Sequence, residues 1–182
     1  MSQFITRVTS SSVTPPVNSG IASWYEDCDL VDAYGVALPQ DSTDDVEILA
    51  HFLLRQPPLW LRSLMGLRDA IVTPFGIKTS RELARAPLTD SSKRIEFFKV
   101  YSTSKNEIIL GENDKHLDFR LSVLRASTDR STEGHIIVTT AVRCHNRLGR
   151  SYLALIQPFH RIVVKSYLRR AARRGWPKAH GS

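Results

Sequence analysis

The sequence predicts an α+β fold in which an antiparallel sheet is flanked in sequence by helices. Three observations carry this. Between Arg94 and His145 the apolar residues recur with a period of two. Before that run, residues 41–72 show the helical period in two short stretches; after it, one long amphipathic stretch closes the chain. Helices kept apart from a run of hairpin-linked strands belong to α+β architectures rather than to alternating βαβ units.

The elements follow in order. The opening residues, including TSSSVTPPVNSG, are rich in Ser, Thr and Pro without periodicity, which predicts a flexible lead-in over residues 1–25. A single domain is expected over 26–176, with a tail at 177–182. DLVDAYGVAL, within Cys28 to Leu38, predicts a strand stopped by Pro39. Asp41 to Leu54 reads as a helix. Ser42, Thr43 and Asp44 offer N-caps, and Val46, Leu49, Ala50 and Leu53 form one buried face. Pro57 and Pro58 separate it from a second helix, Leu59 to about Val72, which carries Trp60, Leu64 and Met65 and is closed by Pro74 and Gly76.

Strands are expected over 94–102, 106–111, 116–127 and 134–145. In the third, Leu117, Phe119, Leu121 and Val123 alternate with His116, Asp118, Arg120 and Ser122. The terminal helix, Arg150 to Arg174, sets Tyr152, Ile156, Phe159, Val163 and Tyr167 in one stripe, with a kink expected at Pro158. At ~1.5 Å per residue it is about 37 Å long, enough to cross a small sheet. Strand, helices, sheet and one long closing helix is the order of the helix-grip fold, in which a curved sheet wraps around the last helix and leaves a cavity between them.

DAYGVALP, LRDAIVTPFGIK, GENDKHLDFRLSV and GRSYLALIQPFHRIVVKS resemble the bacterial DUF2867 family, over roughly residues 27–172. The HLDFR strand and the GRSYL…PFH helix entry carry the resemblance most specifically. It implies membership of the START-like, polyketide-cyclase-like (SRPBCC) superfamily with its helix-grip fold, and it implies no activity. Relatives of this type occur fused behind NAD(P)-binding domains, which implies an oxidoreductase as a partner class.

Charge and motifs exclude more than they assign. The net charge is +7, yet residues 1–160 carry equal numbers of acids and bases. The excess sits in Arg161, Lys165, Arg169, Arg170, Arg173, Arg174 and Lys178. A neutral body with a basic helix end reads as dipole-complementing cations rather than as a nucleic-acid surface. No run approaches a membrane span of ~20 apolar residues, and the N-terminus lacks a signal-peptide core, so a cytoplasmic protein is expected. The glycines form neither GxGxxG nor GxxxxGK, and no HExxH occurs, so no cofactor and no metal is expected. Cys28 and Cys144 read as structural thiols.

The functional expectation is a small, largely apolar or amphipathic ligand in an enclosed pocket of roughly 300 Å³ or more between the terminal helix and the sheet. Phe98, Thr140, Tyr152 and Phe159 are its expected lining, with Arg120 as a polar anchor if its face turns inward. The alternative from another class is an acid–base enzyme using His116, Asp118 and His160. A third reading is an accessory module of an NAD(P)-dependent oxidoreductase. The discriminating feature is whether two titratable groups point into one cavity. The HLDFR strand is weighed toward a solvated outer face for His116, Asp118 and Arg120, because polar faces of sheets commonly meet water.

Overall fold

In the computed structural model, which describes residues 10–55, 57, 60, 61, 66, 69, 93–96, 98–128 and 131–179, seven strands pair into an antiparallel sheet. In chain order they are β1 (Ser11–Ser12), β2 (Leu30–Leu38), β3 (Arg94–Ile95), β4 (Phe98–Thr103), β5 (Glu107–Asn113), β6 (Leu117–Thr128) and β7 (Ser131–Cys144). Their spatial order is β1-β2-β7-β6-β5-β4-β3. A 3-10 turn covers Ala22–Asp27, helix α1 covers Val46–Leu54 and helix α2 covers Arg147–Arg174. The second predicted helix lies outside the described residues except at Trp60, Leu61, Gly66 and Asp69.

Alternation fixes which side chains meet the helices. Leu30, Asp32, Tyr34, Val36 and Leu38 point to one face of β2, and the register sets them opposite Val142, Thr140, Val138, Ile136 and Gly134. β6 continues that face with Phe119, Leu121 and Val123, and β5 with Ile108 and Leu110. Val36, Leu38, Leu49, Leu53, Ile108, Leu110, Val123, Ile136, Val164 and Leu168 form the main core here. The two helices divide this face. α2 lies on β2 and β7, while α1 lies on β3, β5 and β6 and against α2. The terminal helix therefore covers one half of the sheet, where the sequence anticipates a crossing of the whole.

α2 begins three residues earlier than the periodicity suggests, because Asn146 caps it by accepting the Gly149 N–H at 3.0 Å. It runs through Pro158 without a break, and Pro158 lies on the exposed side. Its buried positions are Leu153, Val164, Leu168 and Ala171. Phe159 is 47% exposed, which corrects the predicted stripe.

α1 starts later than expected. Its cap is Asp45, whose Oδ1 accepts from Glu47 N (2.8 Å) and Ile48 N (3.1 Å). Residues 41–43 are instead paired with the chain end. Thr43 N donates to Pro177 O, Ala179 N donates to Asp41 O, and Ser42 bridges Lys178. Trp176 is buried and packs on Phe52 at 5.8 Å, so this end of the chain is core and not a solvated tail. The single strand predicted over 94–102 is a hairpin, β3 and β4, turned at Glu96 with φ 55°.

The opposite face holds a further correction. Residues 10–25, read as part of a flexible lead-in, are built into the molecule. β1 pairs with β2, and Ile21, with Trp24, Tyr25 and Cys28 beside it, packs on Ile109 and Ala141. Among the described residues no helix is long and apolar enough to cross a membrane.

Candidate functional site

The seam between α2 and β2 gathers polar groups where the rest of that interface is apolar. Asp32 and Tyr34 point to the helix side of β2, Thr140 faces Asp32 across the β2–β7 pair, and His160 lies on the half-buried flank of α2. His160 Nε2 lies 3.4 Å from Asp32 Oδ1, an ion-pair distance without hydrogen-bond geometry. The Tyr34 hydroxyl donates to Asp32 Oδ2 at 3.5 Å, a long bond. Asp32 Oδ1 and Thr140 Oγ1 are buried and accept no hydrogen bond among the described residues. Such orphaned atoms are uncommon in folded proteins, because each forfeits its hydration without replacement.

Beside this cluster a cleft of about 390 Å³ opens between α2, β2 and the chain that follows β1. β2 contributes Asp32 and Tyr34, the N-terminal segment contributes Val13 and Pro15, and α2 contributes Gln157, Arg161 and Lys165. The i, i+4, i+8 spacing of the last three places them on one helix flank. Lys165 Nζ stands 5.2 Å from the centre of the Tyr34 ring. Neither Arg161 nor Lys165 lies within ion-pair distance of a carboxylate among the described residues. Burial raises the Tyr34 phenol above its usual range, the Asp32 charge adds to this, and Arg161 opposes it. The hydroxyl thus stays protonated and able to donate at neutral pH.

The HLDFR strand is placed otherwise than expected. Arg120 and His116 are buried, at 8% and 7% exposure, Arg120 under Trp24 of the N-terminal segment and His116 against the start of α2. The Arg120 guanidinium is sandwiched between the rings of Tyr101 (3.6 Å) and Trp24 (4.4 Å), and donates to Asn113 Oδ1 and Phe119 O, both at 2.8 Å. Burial raises the Tyr101 phenol, against which the Arg120 charge works. His116 instead contacts Asn146 at the start of α2, and Asp118 pairs with His145 Nε2 at 3.1 Å. Asp118 and Arg120 share a face of β6 and His116 precedes the strand, and the three serve separate partners.

The other predicted residues also scatter. Phe98 packs edge-on to Phe119 at 5.8 Å, and Tyr152 flanks the small cluster of Leu30, Leu117, Val142, Cys144 and Leu153. Phe159 faces outward. Of the expected lining, only Thr140 lies at the polar seam, with His160 from the enzymatic alternative.

Sequence reasoning missed Asp32, which sits in an otherwise ordinary strand and is marked only by being a charge on a buried face. It also missed Glu107, a buried carboxylate accepting from the hydroxyls of Ser19 and Ser122, each at 2.5 Å, and from Gly20 N at 2.8 Å. Those bonds fasten the N-terminal segment to the sheet. Burial pushes the Cys144 thiol up to about 11 and raises Cys28 as well, so neither is a poised nucleophile. Among the described residues no group of three or more His, Cys, Asp and Glu is placed to hold a metal ion.

A family model described as "Protein of unknown function (DUF2867)" matches residues 24–167, and the chain belongs to that family. No curated protein and no solved structure matches it.

Proposed function

We propose that this member of the DUF2867 family binds a small amphipathic anion in the cleft between α2 and β2. The observation that carries this reading is a pair of cations, Arg161 and Lys165, with no carboxylate at ion-pair distance among the described residues, on the wall of a cleft of about 390 Å³ floored by Tyr34 and Asp32. A cleft of this size takes a small molecule, and such sites combine apolar lining with a few convergent polar groups. Val13, Pro15, Leu30 and the Tyr34 ring supply the apolar part. The two cations supply recognition of a carboxylate or a phosphate, with the guanidinium offering a bidentate fork. This keeps the helix–sheet seam expected from the sequence and gives its ligand a charged end.

The architecture fits the same proposal. A sheet with a long C-terminal helix on one face is how helix-grip, START-like proteins are organised, and in them the ligand lies between helix and sheet. The cleft at the α2–β2 seam is the corresponding place here.

Phenylacetate is a suitable first probe, with one carboxylate and one ring. In a ligand-detected NMR titration the wild-type chain is expected to bind it with a Kd of about 1 mM or tighter. The double variant Arg161→Ala, Lys165→Ala is expected to bind at least about tenfold more weakly. Equal binding by the two chains, or no binding by the wild type, overturns the proposal.

A further inference from the structure

We infer that the ligand of this cleft carries a hydrogen-bond donor, a hydroxyl or an amine, at the end opposite its anionic group, and that the Asp32 carboxylate receives it. The inference rests on the reading of the cleft as an anion site and adds the chemistry of the ligand's other end.

Asp32 belongs to the floor of the cleft, yet its carboxylate is poorly satisfied. Among the described residues the buried Oδ1 accepts no hydrogen bond and has His160 Nε2 at 3.4 Å, and Oδ2, on the side of Tyr34 and the cleft, receives one long bond of 3.5 Å from that hydroxyl. A carboxylate has about four acceptor positions, and a buried one left unfilled is costly. The nearest cations do not fill them, since Arg161 and Lys165 form no ion pair with Asp32 within 4 Å. The cleft therefore presents positive charge on its α2 wall and spare acceptor capacity on its floor.

A ligand that is anionic throughout would meet repulsion at Asp32. One that is apolar beyond its anionic head would bury the carboxylate without a donor, which is the larger penalty in a desolvated site. A molecule with an anion at one end and a neutral or cationic donor at the other satisfies both walls.

The test compares phenylacetate with 4-hydroxyphenylacetate, which adds one donor at the far end of the same skeleton. The wild-type chain is expected to bind the hydroxylated acid about tenfold more tightly. Asp32→Asn is expected to reduce that advantage to less than about threefold. 4-Methoxyphenylacetate, which keeps the oxygen and lacks the donor, is expected to lose the advantage in the wild-type chain, so the conclusion does not depend on the variant folding. Equal affinities for the hydroxylated and unsubstituted acids overturn this inference and leave the anion site standing. Absence of binding by either acid overturns the anion site itself.

Discussion

Arg120 shows how one side chain joins two parts of the chain that sequence distance keeps far apart. Its guanidinium lies between Trp24 and Tyr101 and spends one of its nitrogens on Asn113 and on the Phe119 carbonyl. A desolvated cation over aromatic faces and a charge-assisted hydrogen bond each contribute on the order of 1–3 kcal/mol. Arg120→Met keeps most of the stem and removes the charge, so it is expected to lower stability by about 2–4 kcal/mol in urea-induced unfolding. A change below about 0.5 kcal/mol would mean that this face behaves as open surface. Alternation along β6 puts Asp118, Arg120 and Ser122 on one side, while His116 precedes the strand. What covers that side is a 3-10 turn in a Ser- and Pro-rich segment, which has no periodicity to read. The cover is therefore invisible to pattern arguments, and so is Glu107, whose partners Ser19 and Gly20 come from the same segment.

At the scale of elements, the start of α2 depends on a close approach. Gly149 lies in its first turn against the His116 carbonyl, and a Cβ added there would collide with that oxygen, with the Cys144 side chain behind it. The obstacle is backbone and cannot swing aside. His116 O is itself fixed by the His145 N–H at 2.9 Å. Gly149→Ala is expected to cost about 2–3 kcal/mol in the same unfolding measurement, whereas Ser151→Ala on the exposed side of that turn should cost less than about 0.5. A neutral Gly149→Ala would show that α2 can lift from β6 and β7 without penalty. Element types followed from periodicity because α1, α2 and the four long strands from β2 to β7 bury continuous faces. Their limits did not. Glu96 divides β3 from β4, and pairing of residues 41–43 with the chain end delays α1. Both are tertiary effects on residues whose local pattern is ambiguous.

For the molecule as a whole, α1 and α2 lie on one face of the sheet and an N-terminal segment covers part of the other. This division explains why the residues expected to line one enclosed pocket are spread over separate parts of the structure. A single helix crossing the entire sheet would leave space above its centre, near Thr140 and Phe98. With α1 on the β5–β6 half, Leu49, Leu53, Ile108, Leu110 and Val123 pack there as core, and the cleft described above lies at the β1–β2 edge of α2. The site was legible in part: His160 and Thr140 were singled out from their surroundings in the sequence, while Asp32 required the β2–β7 register to be noticed. The central claim is that a small anion occupies this edge cleft. Backbone amide shift mapping during titration with 4-hydroxyphenylacetate tests it most directly. The account predicts that the shifting amides cluster in residues 12–15, 30–34 and 157–165, around the cleft. Shifts centred instead on Phe98, Arg120 or Tyr152, or no saturable shifts at all, would contradict it.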